Sequence, residues 1–152
     1  MRFWRIVRRR FASEAATGEG SRLFGGRWNS RGVRVVYAST SLALAAIETF
    51  VHIEPRLLPR DLVSIEGEIP EGITIGKVEL KALPSNWHAT GSGSLHRFGD
   101  DWIRDAETAA LLVPSAAIRG ERNVLLNPSH SDFRKIKFSK PEAFEFDARM
   151  FR

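Results

Sequence analysis

The alternation of apolar and polar residues predicts several short β-strands. In DLVSIEGEI, at residues 61–69, every second side chain from position 63 onward is apolar or glycine, which is typical of a half-buried strand. Residues 33–38 alternate similarly, so Val33, Val35 and Tyr37 are expected on one face. Further short runs of strand-forming residues lie at 3–7, 73–80, 108–113, 123–127 and 143–147, with Pro114 and Pro128 as terminators.

Two other segments predict helices. SLALAAIETFVHI, at residues 41–53, is apolar around most of its circumference, follows the hydroxyl residues at 39–41 that can cap a helix, and is closed by Pro55. Residues 95–105 form the second predicted helix, which Gly99 is expected to interrupt. Both helices would lie beside the predicted strands.

Glycine-rich segments between these elements are predicted to be loops. Residues 12–26 contain four glycines, and ATGSGS at residues 89–94 is either a plain connection or a lid. Strands outnumber helices and are too short and irregularly spaced for a doubly wound sheet. The prediction is one α+β domain over residues 1–152, with a mixed or antiparallel β core and flanking helices.

Composition narrows the function classes. The chain has 152 residues, 43% of them hydrophobic, which suffices for one domain with its own core. Cysteine is absent, so disulfides, thiolate catalysis and cysteine-liganded zinc are excluded. Because no segment has the apolar length of a signal peptide or a membrane span, the simplest expectation is a cytoplasmic protein without membrane contact.

The charge balance leaves two interpretations open. With 23 basic and 18 acidic residues the formal net charge is +5. Arg8, Arg9 and Arg10 form a cluster that is either a solvated surface or an attraction site for a polyanion. No helix-turn-helix, zinc-finger or RNA-binding aromatic motif accompanies it. A non-enzymatic nucleic-acid-binding or docking module is therefore one alternative.

Several common catalytic motifs are absent. GEGSRL, from Gly18, lacks the third glycine of a dinucleotide fingerprint, and Gly76-Lys77 lacks the hydroxyl residue of a P-loop. No serine occupies the centre of a nucleophile elbow. The four histidines, His52, His88, His96 and His130, do not have the spacing of zinc ligands, so no metal site is expected.

Glu48 is the only acidic residue in the predicted helix at 41–53. An unpaired buried carboxylate is costly, so Glu48 should be paired, neutralised or open to a cleft. The structural alternative is an ion pair with His52 at i+4 or with an arginine. The functional alternative is a carboxylate beside a site where positive charge develops.

Three further residues are candidates for ligand contact. Arg27 follows two glycines, which would let the backbone approach a ligand, and its planar fork suits phosphate or carboxylate; an ordinary surface arginine is the alternative. Tyr37 is either a ligand contact or a core tyrosine with a bonded hydroxyl. Ser115 follows Pro114, where a turn or capping hydroxyl is the ordinary role.

Taken together, these residues resemble the signature of the RES domain, the toxin half of a bacterial toxin-antitoxin pair, named for its arginine, glutamate and serine. The matching segments follow the family's order over almost the entire chain. They are GGRWNSRGVRVVYAS with Arg27 and Tyr37, SLALAAIETFVH with Glu48, FGDDWI, LLVPSAAIRGERNVLLNPSHSDF with Ser115, and FEFDARMF. One such motif is weak, but five in order are specific.

The resemblance implies a fold similar to ADP-ribosyltransferase toxins and a cleft that binds NAD as the substrate, with no further cofactor. The implied activity is depletion of NAD by cleavage of the nicotinamide-ribose N-glycosidic bond, with water or inorganic phosphate as acceptor. The implied partner is an Xre-type antitoxin with a helix-turn-helix, which blocks the cleft and through which DNA is met indirectly. A homodimer within that complex is also compatible with the resemblance.

Site roles follow from the same resemblance. Glu48 would stabilise the oxocarbenium-like transition state, Arg27 and Tyr37 would be catalytic and NAD-binding, and Ser115 would bond the nucleotide. Residues 39–41 are similar to a Ser-Thr-Ser element of arginine-modifying transferases, although capping is their first interpretation. Those transferases usually carry a second glutamate where this chain has Ala46, which favours hydrolysis or phosphorolysis. An ADP-ribosyltransferase acting on a macromolecule is the enzymatic alternative.

Overall fold

An eight-stranded mixed β-sheet lies at the centre of the described part of the chain, residues 1–89, 91 and 93–151, in this computed structural model. Its strands are β1 (Arg2–Arg8), β2 (Val36–Ser39), β3 (Leu62–Glu68), β4 (Ile75–Lys77), β5 (Ala110–Pro114), β6 (Arg122–Leu126), β7 (Lys137–Phe138) and β8 (Glu142–Phe144). The α-helices are α1 (Glu19–Phe24), α2 (Leu42–Phe50) and α3 (His96–Asp105). Short 3₁₀ helices cover Arg9–Glu14, Pro55–Leu57, Leu80–Ala82, Gly93–Leu95, Ser131–Lys135 and Ala148–Phe151.

The strand order is β4-β5-β6-β2-β1-β3-β7, and β8 also pairs with β3. Only the β4 and β5 pairing is parallel among the described strands; the others are antiparallel. β7 and β8 share one edge of β3, with β7 opposite Gly67 and Glu68 and β8 opposite Leu62 to Ser64. The predicted α+β class with a mixed sheet and flanking helices is confirmed.

Two hydrophobic clusters pack on the sheet. Phe3, Val36, Ala38, Val124 and Leu126 belong to the first, together with residues from the turns that follow β3 and β6. The second cluster contains Leu111, Val113 and Leu125 from β5 and β6, and Trp28 and Val35 from the segment before β2. It also contains Leu95, the residue before α3, and Trp102 of α3.

 Val33 and Tyr37 pack against this second cluster, to which Val35 belongs, so the three residues meet the same core as predicted. The strand predicted at 33–38 is wrong in its bounds, because β2 begins only at Val36 and ends at Ser39.

The predicted strands at 3–7 and 61–69 are confirmed as β1 and β3 with small shifts at their ends. The loop predicted at 12–26 is wrong in part, because α1 forms within it. This helix starts after Gly18, whose φ of 69° is left-handed, and Ser21 ties it to the sheet by bonding both the N–H and the carbonyl of Val35. A helix of six residues is too short to show hydrophobic periodicity, and its contacts with Val35 are distant in sequence, so the sequence did not predict it.

Helix α2 begins where its capping signal predicts. The Ser41 hydroxyl accepts a hydrogen bond from the Leu44 N–H at 3.1 Å, so Ser41 is the N-cap. The helix ends at Phe50, three residues before the predicted end at 53, and continues as a turn. It is not buried all round as expected, because Leu42 and Ala43 are exposed and Glu48 is half-buried.

Gly99 does not interrupt α3, contrary to the prediction. A Cβ at this position would lie 1.8 Å from the carbonyl oxygen of Trp28, so the glycine allows the helix to pack directly on the backbone of residue 28. The predicted loop or lid at 89–94 includes Thr90 and Ser92, which lie outside the described residues.

The segment between α1 and β2, residues 25–35, is held by a buried hydrogen-bond network. The Asn29 amide donates to the carbonyls of Ser21, Ser30 and Val33, each at 3.0 Å, and Asn29 is fully buried. The Tyr37 hydroxyl donates to Asn29 Oδ1 at 2.7 Å and accepts from the N–H of residue 28 at 3.0 Å. Each of these buried polar groups therefore has a partner.

The FGDDWI motif in α3 holds the same segment from the other side. Asp100 accepts from the Ser30 N–H at 2.9 Å and from the Ser30 hydroxyl at 2.5 Å. The Phe98 ring meets the Trp28 ring edge to face, with centroids 6.3 Å apart. The motif therefore orients the segment that carries Arg27.

None of the helices in the described ranges has the length and hydropathy that a bilayer crossing would require.

Replacing Gly99 tests the close packing of α3. Gly99→Ala should lower the free energy of unfolding by about 1–3 kcal/mol or more, because the new methyl group overlaps the carbonyl of Trp28. Gly20→Ala is the matched control, since a Cβ there meets nothing within 4 Å and alanine favours a helix. Urea denaturation measures both variants, and an equally stable Gly99→Ala protein would contradict the packing.

Tyr37 provides a pH test because it is the only tyrosine in the chain. Burial raises the pKa of Tyr37 above its ordinary value of 10.0, and the nearby Asp100 carboxylate adds to the rise, while the Arg27 charge opposes it. The folded protein should therefore show little tyrosinate absorbance at about pH 11, where a free phenol is mostly ionised.

The same shift predicts how stability depends on pH. The folded state holds the phenol proton more tightly than the unfolded state, so the contribution is full below about pH 10 and is lost as the pH rises further. Ultraviolet titration with circular dichroism on the same samples measures both effects. Half-ionisation near pH 10 in a still-folded protein would contradict burial of this hydroxyl.

Candidate active site

Glu48, in the last turns of α2, lies against the hairpin formed by β5 and β6. Its Oε1 accepts hydrogen bonds from the Ser115 hydroxyl at 2.6 Å and from the Asn123 side-chain amide at 2.5 Å. The structure thus brings two of the predicted site residues into direct contact. Glu48 and Ser115 are 67 residues apart in the chain, and the packing of α2 against the sheet brings them together.

Asn123 is fixed on its other side by Ser39. The two residues are directly opposite in the antiparallel pairing of β2 with β6, so their side chains share a face. The Ser39 hydroxyl donates to Asn123 Oδ1 at 2.7 Å, which leaves the amide nitrogen to donate to Glu48. Ser39 is only 3% exposed, and it acts here rather than as a helix cap.

Ser115 is fully buried at the start of the turn between β5 and β6. Its N–H donates to the Glu121 carbonyl at 2.9 Å, and its hydroxyl oxygen accepts from the Ile118 N–H at 2.9 Å. The hydroxyl proton is therefore directed to Glu48. The ordinary turn role and the contact with the predicted catalytic carboxylate are combined in one residue.

The structural alternative for Glu48, an ion pair with His52 or an arginine, is not found in the part of the chain that the structure describes. The hydrogen-bond partners of its carboxylate are the neutral donors Ser115 and Asn123. His52, four residues later, is exposed and makes no bond with Glu48. Both neutral donors meet Oε1, so the other carboxylate oxygen keeps its full capacity to accept hydrogen bonds or to face positive charge.

The C-terminal FEFDARMF motif anchors the end of α2. The Phe50 ring contacts the rings of Phe146 and Phe151, with centroids 6.0 and 5.3 Å apart. Phe146 also meets Phe144 and Phe151 edge to face. Because Phe50 lies two residues after Glu48, this aromatic cluster fixes the helix end that carries the carboxylate.

Arg27 is half-buried on the segment held by Asn29 and Tyr37. Its Nη1 donates to the carbonyls of Trp87 and Ala89, each at 3.2 Å. Among the described residues it has no carboxylate partner, so its charge is not neutralised by an ion pair. That charge lies close enough to Tyr37 to lower the pKa of the phenol, against the larger effect of burial.

Gly26, the glycine before Arg27, was expected to let the backbone approach a ligand, but the structure gives it another role. A Cβ on Gly26 would lie 2.6 Å from the Tyr37 hydroxyl and 2.9 Å from Asn29 Oδ1. The missing side chain therefore makes room for the Tyr37 hydrogen bonds rather than for a ligand. Gly25 has a left-handed φ of 71°, which favours glycine at the end of α1.

A cavity of about 300 Å³ lies between the Arg27 contacts and the Ser115 hairpin. Trp87, whose carbonyl binds Arg27, lines one side, and Pro114 and Arg122, the chain neighbours of Ser115 and Asn123, line the other. Its volume is at the small end of the range for ligand sites. The complete lining is Leu80, Ser85, Trp87, His88, Pro114, Arg119, Gly120, Glu121 and Arg122.

The four predicted residues thus form two linked groups. Glu48 and Ser115 are in contact and form the first group. Arg27 and Tyr37, whose charge and hydroxyl interact, form the second. The link between the groups is β2, on one face of which Tyr37 is followed by Ser39. Sequence reasoning missed Asn123 altogether. Its only local signal was a polar residue at the start of an apolar strand. No grouping of three or more potential metal-ligating side chains occurs among the described residues.

Comparison with known proteins agrees with this fold and these motifs. Residues 2–147 match the RES domain family. A protein of Sphingobium sp. named "Prs ADP-ribosylating toxin" is 38% identical over 156 residues, covering 99% of this chain and 96% of that protein. "Toxin Res" of Photorhabdus laumondii is 36% identical over 152 residues, covering 99% and 97% of the two chains.

A solved structure shares the fold at low sequence identity. A chain in the crystal structure of the M. tuberculosis MbcT-MbcA toxin-antitoxin complex superposes with a TM-score of 0.68 and 14% identity, covering 99% of this chain and 86% of that one. The family match extends over nearly all the elements described above, including those that carry Arg27, Tyr37, Glu48 and Ser115. The chain therefore belongs to the RES domain family.

Proposed function

We propose that this protein is the toxin of a toxin-antitoxin pair and consumes NAD by cleaving its nicotinamide-ribose bond. The observation that carries the proposal is the half-buried Glu48 carboxylate, of which one oxygen is held by Ser115 and Asn123. A cavity whose charged lining residues are Arg119, Glu121 and Arg122 adjoins this hairpin, while Glu48 lies outside its lining. An oriented carboxylate next to a cavity that contains arginines suits a phosphate-bearing substrate that develops positive charge at its ribose.

The reaction breaks the bond between ribose C1′ and the nicotinamide nitrogen. Both bonding electrons leave with nicotinamide, whose ring becomes neutral, and positive charge develops over C1′ and the ribose ring oxygen. An acceptor oxygen then bonds to C1′; when the acceptor is water, a proton is released. A preorganised carboxylate stabilises this charge more in the transition state than in the ground state.

The hydrogen bonds to Glu48 support this role. Ser115 and Asn123 hold Oε1, so the carboxylate enters the reaction already oriented and loses little freedom when charge develops. The second oxygen would face the ribose. Ser39 acts through Asn123 as a positioning residue, because it fixes the amide that donates to Glu48.

Arg27 and Tyr37 receive different roles in this proposal. Among the described residues Arg27 donates through Nη1 alone, and its remaining N–H groups would bind the pyrophosphate or ribose of NAD. The Tyr37 hydroxyl is already bonded to Asn29 and to the N–H of residue 28. Tyr37 would therefore contribute through its ring and by holding the segment that carries Arg27.

The relatives support the biological setting. Two of them carry the word toxin in their names, and the fold is shared with a chain from a toxin-antitoxin complex. On this basis the protein would act in the cytoplasm, where NAD is available. It would be restrained by an antitoxin of the Xre type with its own helix-turn-helix.

The second candidate function is transfer of ADP-ribose to a macromolecule. The observation in its favour is the name of the Sphingobium relative, which describes that protein as ADP-ribosylating. Ala46, where arginine-modifying transferases usually have a glutamate, favours a small acceptor in this chain. Both candidate reactions break the same bond and need the same Glu48 carboxylate.

Substitution of Glu48 tests the shared chemical step. Glu48→Gln should lower nicotinamide release from NAD by a factor on the order of 100 or more, because it removes one electrostatic stabiliser of the transition state. The glutamine carbonyl can still accept from Ser115 and Asn123, so folding should be kept. Chromatography of NAD and nicotinamide over time measures the rate.

The matched control is Glu107→Gln, which neutralises an exposed carboxylate outside the site. It should cleave NAD at the rate of the unmodified protein. A folded Glu48→Gln variant with an unchanged rate would remove Glu48 from the mechanism. Absence of NAD cleavage by the unmodified protein would remove the proposed function itself.

The fate of the ADP-ribose group separates the two candidates. When NAD labelled in its adenine is incubated with the protein and cell extract, label should remain in small molecules, as ADP-ribose or its phosphorylated form. Gel electrophoresis and chromatography of the same reaction measure the two fractions, with Glu48→Gln as the blank. Glu48-dependent label on a macromolecule would instead establish the second candidate.

A further inference from the structure

A second depression in the surface is lined by equal numbers of arginine and apolar residues. It has a volume of about 660 Å³, and three of its six lining residues are arginines while none is acidic. We call it the basic groove. Its lining residues are Arg8, Arg56, Leu57, Leu58, Pro59 and Arg60.

The fold brings two separate basic segments together at this groove. The N–H of Arg9 donates to the Asp61 carbonyl at 2.7 Å, and the Arg8 guanidinium bonds the Asp61 carboxylate at 2.5 Å. The Arg8 hydrogen bond, with the charges of Arg8 and Arg10, holds the pKa of Asp61 below its usual range. Residues 8–10 therefore lie within electrostatic reach of the segment 56–61.

Most of the positive charge at this place is not neutralised. Arg8 is paired with Asp61, but Arg56 and Arg60 are exposed and make no ion pair with any described residue. Arg9 is also exposed and, within the described ranges, has no carboxylate partner. Glu54, which precedes the second segment, does not line the groove.

We propose that the basic groove binds the sugar-phosphate backbone of nucleic acid without reading its sequence. The charges are spread over two segments, so they exceed what one small phosphate needs, whereas duplex DNA carries one charge per about 1.7 Å of its axis. The planar guanidinium fork matches phosphate oxygens well. No element for reading base edges accompanies the groove in the described residues, which is why binding does not depend on sequence.

This contact adds to the expected indirect one through an antitoxin. Arg56 and Arg60 lie outside the group formed by Arg27, Tyr37, Glu48 and Ser115, so the proposal does not rest on NAD cleavage. Binding by the toxin chain itself would strengthen any complex that already holds DNA, because the second contact is made at high effective concentration.

The test measures binding of the full chain to a fluorescent duplex of arbitrary sequence at several salt concentrations. The logarithm of the association constant should fall with the logarithm of salt by about 0.9 for each phosphate contact. Arg56→Gln combined with Arg60→Gln should reduce this slope by about 2 and weaken binding roughly tenfold or more at low salt.

The matched control combines Arg104→Gln with Arg149→Gln, which changes the net charge equally. Both arginines are exposed but already bonded to carboxylates, Arg104 to Asp101 and Asp105 and Arg149 to Asp147. This control should keep the slope of the unmodified chain. Circular dichroism of the groove variant should match that of the unmodified chain, which checks its folding. A second variant, Arg9→Gln combined with Arg10→Gln, should also reduce the slope.

Three results would overturn the proposal. The first is an unmodified chain with no salt-dependent binding to the duplex, and the second is a groove variant whose slope equals that of the control. The third is stronger groove-dependent binding to vesicles containing anionic lipid than to DNA, which would assign the groove to a membrane surface. Loss of DNA binding by a groove variant with an unchanged circular-dichroism spectrum supports the proposal independently of the enzymatic function.

Discussion

The two hydrogen bonds to one carboxylate oxygen of Glu48 are the constraint on which the candidate site depends. Ser115 and Asn123 both donate to Oε1; Ser115 directly follows β5, and Asn123 lies near the start of β6. A half-buried carboxylate needs such donors because burial without them is costly. Helix α2 and the hairpin are therefore locked together at the place where the proposed chemistry occurs, and β2 contributes Ser39 to the same network.

A second network holds the segment that carries Arg27. Asn29 bonds three carbonyls and the Tyr37 hydroxyl, while Asp100 on α3 bonds Ser30 from outside. Buried polar networks that are fully satisfied are rigid and specify one arrangement. The family motifs thus support one another: the FGDDWI motif orients the segment of the arginine, and the C-terminal phenylalanines anchor the helix of the glutamate.

The positive charge of the chain is divided unevenly between paired and unpaired arginines. Arg22, Arg104 and Arg149 form ion pairs with neighbouring carboxylates, so their charges are largely compensated nearby. Arg27 and the arginines of the basic groove lack such partners among the described residues, apart from Arg8. A net charge of +5 alone does not reveal this division, yet it separates a proposed NAD site from a proposed nucleic-acid surface.

By itself the sequence determined the strand at 61–69, a hydroxyl cap for α2 within residues 39–41, the α+β class and the family, because alternation, capping and motif order are local properties of the chain. Only the tertiary structure decided that Asn123 meets Glu48, that Gly99 packs on Trp28, and that Arg56 and Arg60 join Arg8. These contacts join residues tens of positions apart, and sheet register and helix packing, which no local pattern encodes, bring them together.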